Sequence, residues 1–72
     1  SDTVLYVCDK DQGLMVMDIT DPYTPRLESR LTDGSYVDVI PYGQTLLCWI
    51  TNGLLVYDIS NNKKPMLLTR IE

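Results

Sequence analysis

Residues 53–65 read GLLVYDISNNKKP, and residues 13–25 read GLMVMDITDPYTP. The two stretches lie 40 residues apart, and sliding the chain by that interval sets residues 1–32 on 41–72 without a gap. Nine of the 32 pairs are then identical: Cys8/Cys48, Gly13/Gly53, Leu14/Leu54, Val16/Val56, Asp18/Asp58, Ile19/Ile59, Pro25/Pro65, Leu27/Leu67 and Arg30/Arg70. Ordinary residue frequencies would give roughly two by chance. Val7/Leu47, Met15/Leu55, Thr20/Ser60 and Leu31/Ile71 keep their chemistry as well. The chain is an internal repeat.

Each repeat is strand chemistry. Apolar residues fall in seven short runs, at 4–8, 14–19, 27–31, 36–40, 46–50, 54–59 and 66–71, rich in Val, Ile, Leu and Tyr and free of a 3.6-residue period. Turn residues separate the runs. Asn52-Gly53 predicts a type I′ hairpin, in which both residues take positive φ, and Asp33-Gly34 carries the same signal between two other runs. The reading is all-β, with seven strands and no helix.

A 40-residue period holding four strands is the signature of a β-propeller blade. With strands lettered A to D outward from the axis, 36–40 is A, 46–50 is B, 54–59 is C and 66–71 is D. The earlier repeat supplies only B, C and D. The predicted organisation is therefore a partial blade over residues 1–32 and a complete blade over 33–72, an incomplete propeller. Burial favours blades over a sandwich. In Leu14-Met15-Val16-Met17 and Leu54-Leu55-Val56-Tyr57 both faces of the strand are apolar. A sandwich strand with one wet face would alternate.

The phrase G-L-x-V-x-D-I-[ST]-x-x-x-x-P resembles the LVIVD repeat. Gly13, Leu14, Val16, Asp18, Ile19 and Pro25 carry the resemblance in the first copy; Gly53, Leu54, Val56, Asp58, Ile59 and Pro65 carry it in the second. The first copy also has the Asp21-Pro22 step, which the second replaces with Asn61-Asn62, an expected loosening of that turn. The resemblance implies a propeller fold, a location outside the cytoplasm (secreted, periplasmic or cell surface), and a binding or adhesion scaffold rather than a defined activity.

Composition narrows the function further. Six basic residues against ten acidic ones give a net charge of −4, and only Lys63 and Lys64 are adjacent cations. Nucleic acid and anionic membrane need clustered cations, so neither is an expected partner. No apolar run is long enough for a membrane span. With no histidine, the Ser–His–Asp and Cys–His nucleophile systems and most catalytic zinc sites are absent. No cofactor and no metal are expected.

The conspicuous polar residues are Asp18 and Asp58, each sitting in an otherwise apolar strand. Because catalysis needs one site and architecture needs one per blade, both are read as acceptors for backbone N–H groups of the following turn. Gly13 and Gly53 are read as positive-φ hairpin residues, and Pro25 and Pro65 as turn ends. Asp9-Lys10-Asp11-Gln12-Gly13 mimics a calcium loop faintly, with Gly at position 5 where an EF-hand has it at 6, and reads as a solvated hairpin tip. Cys8 and Cys48 hold equivalent positions in consecutive blades. One is expected to face the gap between blades and the other to face away, as buried free thiols without a disulfide. Tyr36, Tyr42 and Trp49 are the candidate aromatic contact residues for a protein or carbohydrate ligand.

The expected function is a non-catalytic binding or scaffold module within a propeller. The alternative is part of a propeller enzyme whose site lies mostly in other residues, and a third possibility is a stand-alone small sheet. Propellers close with about 4–8 blades, so further blades, in the same or another chain, are the expected partners. A longer polypeptide is the favoured form of that expectation. Leu14, Val16, Leu55 and Tyr57 are expected to form the uncovered outer faces, and the edge of the strand at 4–8 to be unpaired.

Overall fold

The computed structural model describes residues 3–72; the first two positions of the 1–32 unit lie outside them. Seven strands follow one another: β1 (Val4–Asp9), β2 (Gly13–Asp18), β3 (Arg26–Leu31), β4 (Tyr36–Tyr42), β5 (Thr45–Ile50), β6 (Gly53–Asp58) and β7 (Met66–Ile71). They form two antiparallel meanders, β1-β2-β3 and β4-β5-β6-β7. Among the described residues there is no helix. The chain is all-β, built as incomplete propeller blades.

The repeat is visible in the pairing. Leu14 faces Leu31 and Asp18 faces Arg26 across β2–β3; forty residues on, Leu54 faces Ile71 and Asp58 faces Met66 across β6–β7. Both pairs are interrupted at the same place, by a bulge at Val16/Met17 and at Val56/Tyr57. A bulge bends a strand and increases its local twist, so the outer strands of the two sheets turn alike.

The first hairpins do not match. Cys8 pairs with Leu14, but Cys48 pairs with Leu55 rather than Leu54. A one-residue slip turns every side chain of a strand to the other face. The cause lies at the hairpin tips. Asp9 Oδ1 accepts from Asp11 N at 2.8 Å and Gln12 N at 2.9 Å, closing a three-residue loop between Asp9 and Gly13. In the second repeat Trp49 replaces that acceptor and Ile50 replaces Lys10, so β5 runs one residue further and buries Ile50. Only Thr51 and Asn52 remain in the loop.

This corrects the reading of the glycines. Gly13 has φ +84°, but Gly53 and Asn52 lack positive φ, so Asn52-Gly53 forms no type I′ turn. Gly53 is needed for a different reason: a Cβ there would run into the carbonyl oxygen of Ile71 on the neighbouring strand. The second positive-φ glycine is Gly43, at +60°, in the β4–β5 turn. Asp33-Gly34 is also no hairpin, since it carries the chain from one sheet to the other.

Directly opposed residues share a face. Leu14 and Val16 of the first sheet therefore point one way, and Leu46, Cys48, Ile50, Leu55 and Tyr57 of the second sheet share a face of their own. All seven are buried. Leu14 joins Leu46, Cys48, Ile50, Leu55, Tyr57, Tyr36 and Ile59 in one cluster, with Tyr6, Leu31 and Val39 packed against it. The sheets thus meet through these faces. Leu14, Val16, Leu55 and Tyr57 are the buried seam, not the uncovered outer faces that the sequence suggested. The outer faces carry the alternate residues, Met15 and Met17 on one side and Leu54 and Val56 on the other, all half-buried.

Candidate functional site

Two places concentrate polar and aromatic side chains: the seam between the sheets, and the outward face of the second sheet.

At the seam, the β3–β4 connection is tied down by Asp33. Its carboxylate oxygen Oδ2 accepts from the Tyr57 hydroxyl at 2.7 Å, and its backbone N–H donates to the Tyr36 hydroxyl at 3.1 Å. The two phenol oxygens lie 2.6 Å apart. Since the proton of Tyr57 is directed at Asp33, Tyr36 supplies the proton between the phenols. Burial pushes both phenols above their ordinary range, and for Tyr57 the bonds to Tyr36 and Asp33 push the same way. Arg70 Nη2 donates to the Asp33 carbonyl at 2.7 Å, fastening β7 to the same connection. Two neutral phenols satisfied in this way hold a structure together; they do not ionise near neutral pH.

Further polar bonds cross the seam. Lys63 Nζ lies 3.1 Å from Asp18 Oδ2. Ser29 Oγ donates to the Lys63 carbonyl at 2.7 Å, and the Tyr6 hydroxyl donates to the Asn62 carbonyl at 3.3 Å. The turn at 61–64 thus reaches back onto the first sheet. Asp18 Oδ1 also accepts from Thr20 N at 2.8 Å and Thr20 Oγ1 at 2.6 Å, and Asp58 Oδ1 accepts from Ser60 N at 2.7 Å. The Thr20 bonds, followed by Lys63, lower the Asp18 carboxyl to about 2; the Ser60 bonds lower Asp58 as well. Pro25 and Pro65 directly precede β3 and β7. Asn61-Asn62 keeps the two backbone N–H bonds of its turn and loses only the equivalent of the Thr24 Oγ1 to Asp21 Oδ2 bond, 2.9 Å in the first turn. Asn61 accepts Lys63 N on Oδ1 and Lys64 N on its carbonyl, as Asp21 accepts Tyr23 N and Thr24 N.

Cys8 and Cys48 are free, and their placement differs from expectation. Cys8, opposite Leu14, and Cys48, opposite Leu55, both lie on the seam faces, because the slipped register turns β5 over. Cys48 is fully buried and its thiol is pushed up to about 12, chiefly by burial, with Cys8 adding to it. Cys8 is exposed rather than buried.

The candidate aromatic residues do not form one surface. Tyr36 is buried in the core. Tyr42 is 74% exposed and Trp49 is 41% exposed. Both lie on the outward face of the second sheet, since Tyr42 opposes Thr45, and Thr45, Leu47 and Trp49 alternate along one side of β5. Ile40, Leu54, Val56 and Ile71 share that face by register. Sequence reasoning named Tyr42 and Trp49 but not the apolar residues around them, because the alternation it used could not reveal the slip in β5. It also missed Asp33, whose partners lie in strands distant along the chain.

Two stacked antiparallel meanders, repeated at 40 residues with matching bulges and one polar turn reaching across, define a propeller-like repeat module. The LVIVD repeat model matches residues 2–33 and 49–72, and the chain belongs to the LVIVD repeat family. No curated protein and no solved structure was found to match it.

Proposed function

We propose that the chain is a non-catalytic binding or scaffold module, a segment or subunit of an LVIVD-type β-propeller that mediates protein or carbohydrate interaction. The observation that carries this reading is the outward face of the second sheet. It gathers the exposed Tyr42 and Trp49 with Ile40 and Ile71, also exposed, on one outward side. Exposed apolar groups of this extent mark interaction sites in soluble proteins, and aromatic residues are enriched among interface anchors. No catalytic role falls to the polar residues described: Asp18 and Asp58 cap turns, and Asp33 holds two phenols. The family resemblance supports a setting outside the cytoplasm and further blades as neighbours.

The test is substitution of the face itself. Tyr42→Asp combined with Trp49→Asp places two charges on exposed positions and leaves the seam untouched. Binding to immobilised oligosaccharides and to copies of the chain is measured by surface plasmon resonance, with circular dichroism as the check on folding. Loss of all association in the folded double variant supports the reading. Association that survives both changes overturns it.

A further inference from the structure

The seam between the two sheets is held by polar groups that the repeat supplies twice but the chain uses once. Asp18 and Ser29 project from the inner face of the first sheet and grip the 61–64 turn through the Lys63 side chain and carbonyl. Forty residues on, the same places hold Asp58 and Thr69, which again pair an acid with a hydroxyl. Register puts both on the outward face of the second sheet, Thr69 directly opposite Val56 and Asp58 two residues further along the same strand as Val56. Among the described residues, Asp58 has no cationic partner and the exposed Thr69 hydroxyl makes no hydrogen bond.

The receiving element is also present twice. Residues 21–24 repeat 61–64, and the two turns close with the same pair of hydrogen bonds. Asn62 and Lys63 are half-buried because they press on the first sheet; Pro22 and Tyr23 stand free, with Tyr23 93% exposed. Each half of a second seam is thus formed, one in each repeat. The outward face of the first sheet adds the cation Arg30, opposite Met15, while that of the second sheet adds the acid Asp38, opposite Trp49.

We infer that a second copy of this chain docks head to tail on the outward face of the second sheet, its 21–24 turn lying over Asp58 and Thr69. The Tyr23 hydroxyl then donates to the Asp58 carboxylate, where Lys63 meets Asp18, and Thr69 Oγ1 donates to the Tyr23 carbonyl, where Ser29 meets Lys63. This rests on the scaffold reading above and names the partner of that surface. A head-to-tail interface of this kind closes into a ring when its rotation allows.

The experiment measures mass by light scattering against concentration, on the wild-type chain and four variants: Thr69→Val, Tyr23→Lys, Asp58→Asn and the Tyr23→Lys/Asp58→Asn pair. The wild type is expected to associate, in multiples of 8.2 kDa. Thr69→Val should weaken association. Tyr23→Lys should restore the acid–ammonium pair of the inner seam and tighten association roughly two- to fivefold, the range of an exposed ion pair. In an Asp58→Asn background, which keeps an acceptor for Ser60 N, that gain should vanish. A wild type that stays at 8.2 kDa to millimolar concentration overturns the inference, as does a Tyr23→Lys gain that persists in Asp58→Asn. A monomer whose Tyr42/Trp49 face still captures an oligosaccharide would defeat the self-docking alone, so the two readings fail separately.

Discussion

Three glycines separate two reasons for having no side chain, and alanine substitution measures each. Gly43 has φ +60° with open space where a Cβ would sit, so Gly43→Ala meets backbone strain alone. An L-residue in that region costs roughly 1–2 kcal/mol. Gly53 has no positive φ, but its Cβ would strike Ile71 O, with Glu72 Cα 2.9 Å away. Relief requires β7 to move off β6, and overpacking of this kind costs about 1–3 kcal/mol. Gly13 combines φ +84° with a Cβ that would strike Leu31 O. There the obstructing strand leads straight into the Asp33 connection and cannot give freely. Gly13→Ala should therefore cost most, about 2–5 kcal/mol if the two effects add. Urea unfolding followed by Trp49 fluorescence measures all three, at one protein concentration so that association is held constant. A Gly53→Ala variant as stable as wild type would refute the close-approach account of that glycine. So would a Gly13→Ala variant no worse than Gly43→Ala.

Other expectations follow from the seam and its polar groups. Asp18 titrates at about 2 in the folded chain against 3.8 ordinarily, so its contribution is complete above pH 4 and fades as pH falls toward 2; Asp18→Asn should flatten that part of a stability–pH profile. Tyr57→Phe should cost about 2 kcal/mol, because it removes a bond to a charged acceptor and strands the Tyr36 proton, whereas Tyr36→Phe strands only the neutral Asp33 N–H, leaves the Tyr57–Asp33 bond and should cost about 1; denaturant titration giving the reverse order would refute the proton assignment. With a thiol reagent, the native chain should react at Cys8 and not at the buried Cys48, and the denatured chain at both; a fast phase surviving Cys8→Ser would contradict that placement.

Much of the fold was legible because the repeat states it twice. The seven apolar runs fall on the seven strands, and the Asp18 and Asp58 caps follow from an acid placed before a polar turn. What was not legible depends on single residues at the tips. Asp9 closes one hairpin and Trp49 cannot close the other in the same way, so one strand slips by a residue and its faces exchange. Alignment of the repeats treats 8 and 48 as equivalent and hides that slip. It placed one cysteine on the wrong side. The Asp33–Tyr57–Tyr36 group was invisible for another reason. Asp33-Gly34 looks like a hairpin signal, and nothing local distinguishes a turn within a sheet from a crossing between sheets.

The central claim is that the two repeats meet through unlike faces, Leu14 and Val16 of the first against Leu55 and Tyr57 of the second, and that β5 is slipped by one residue against β6, which turns Cys48 to the seam as well. Methyl- and aromatic-labelled NMR tests this directly. Nuclear Overhauser contacts should connect Leu14 methyls with side chains of the second sheet's buried cluster, and cross-strand contacts should join Cys48 to Leu55. Contacts that join Cys48 to Leu54, with Met15 rather than Leu14 touching the second sheet, would contradict it.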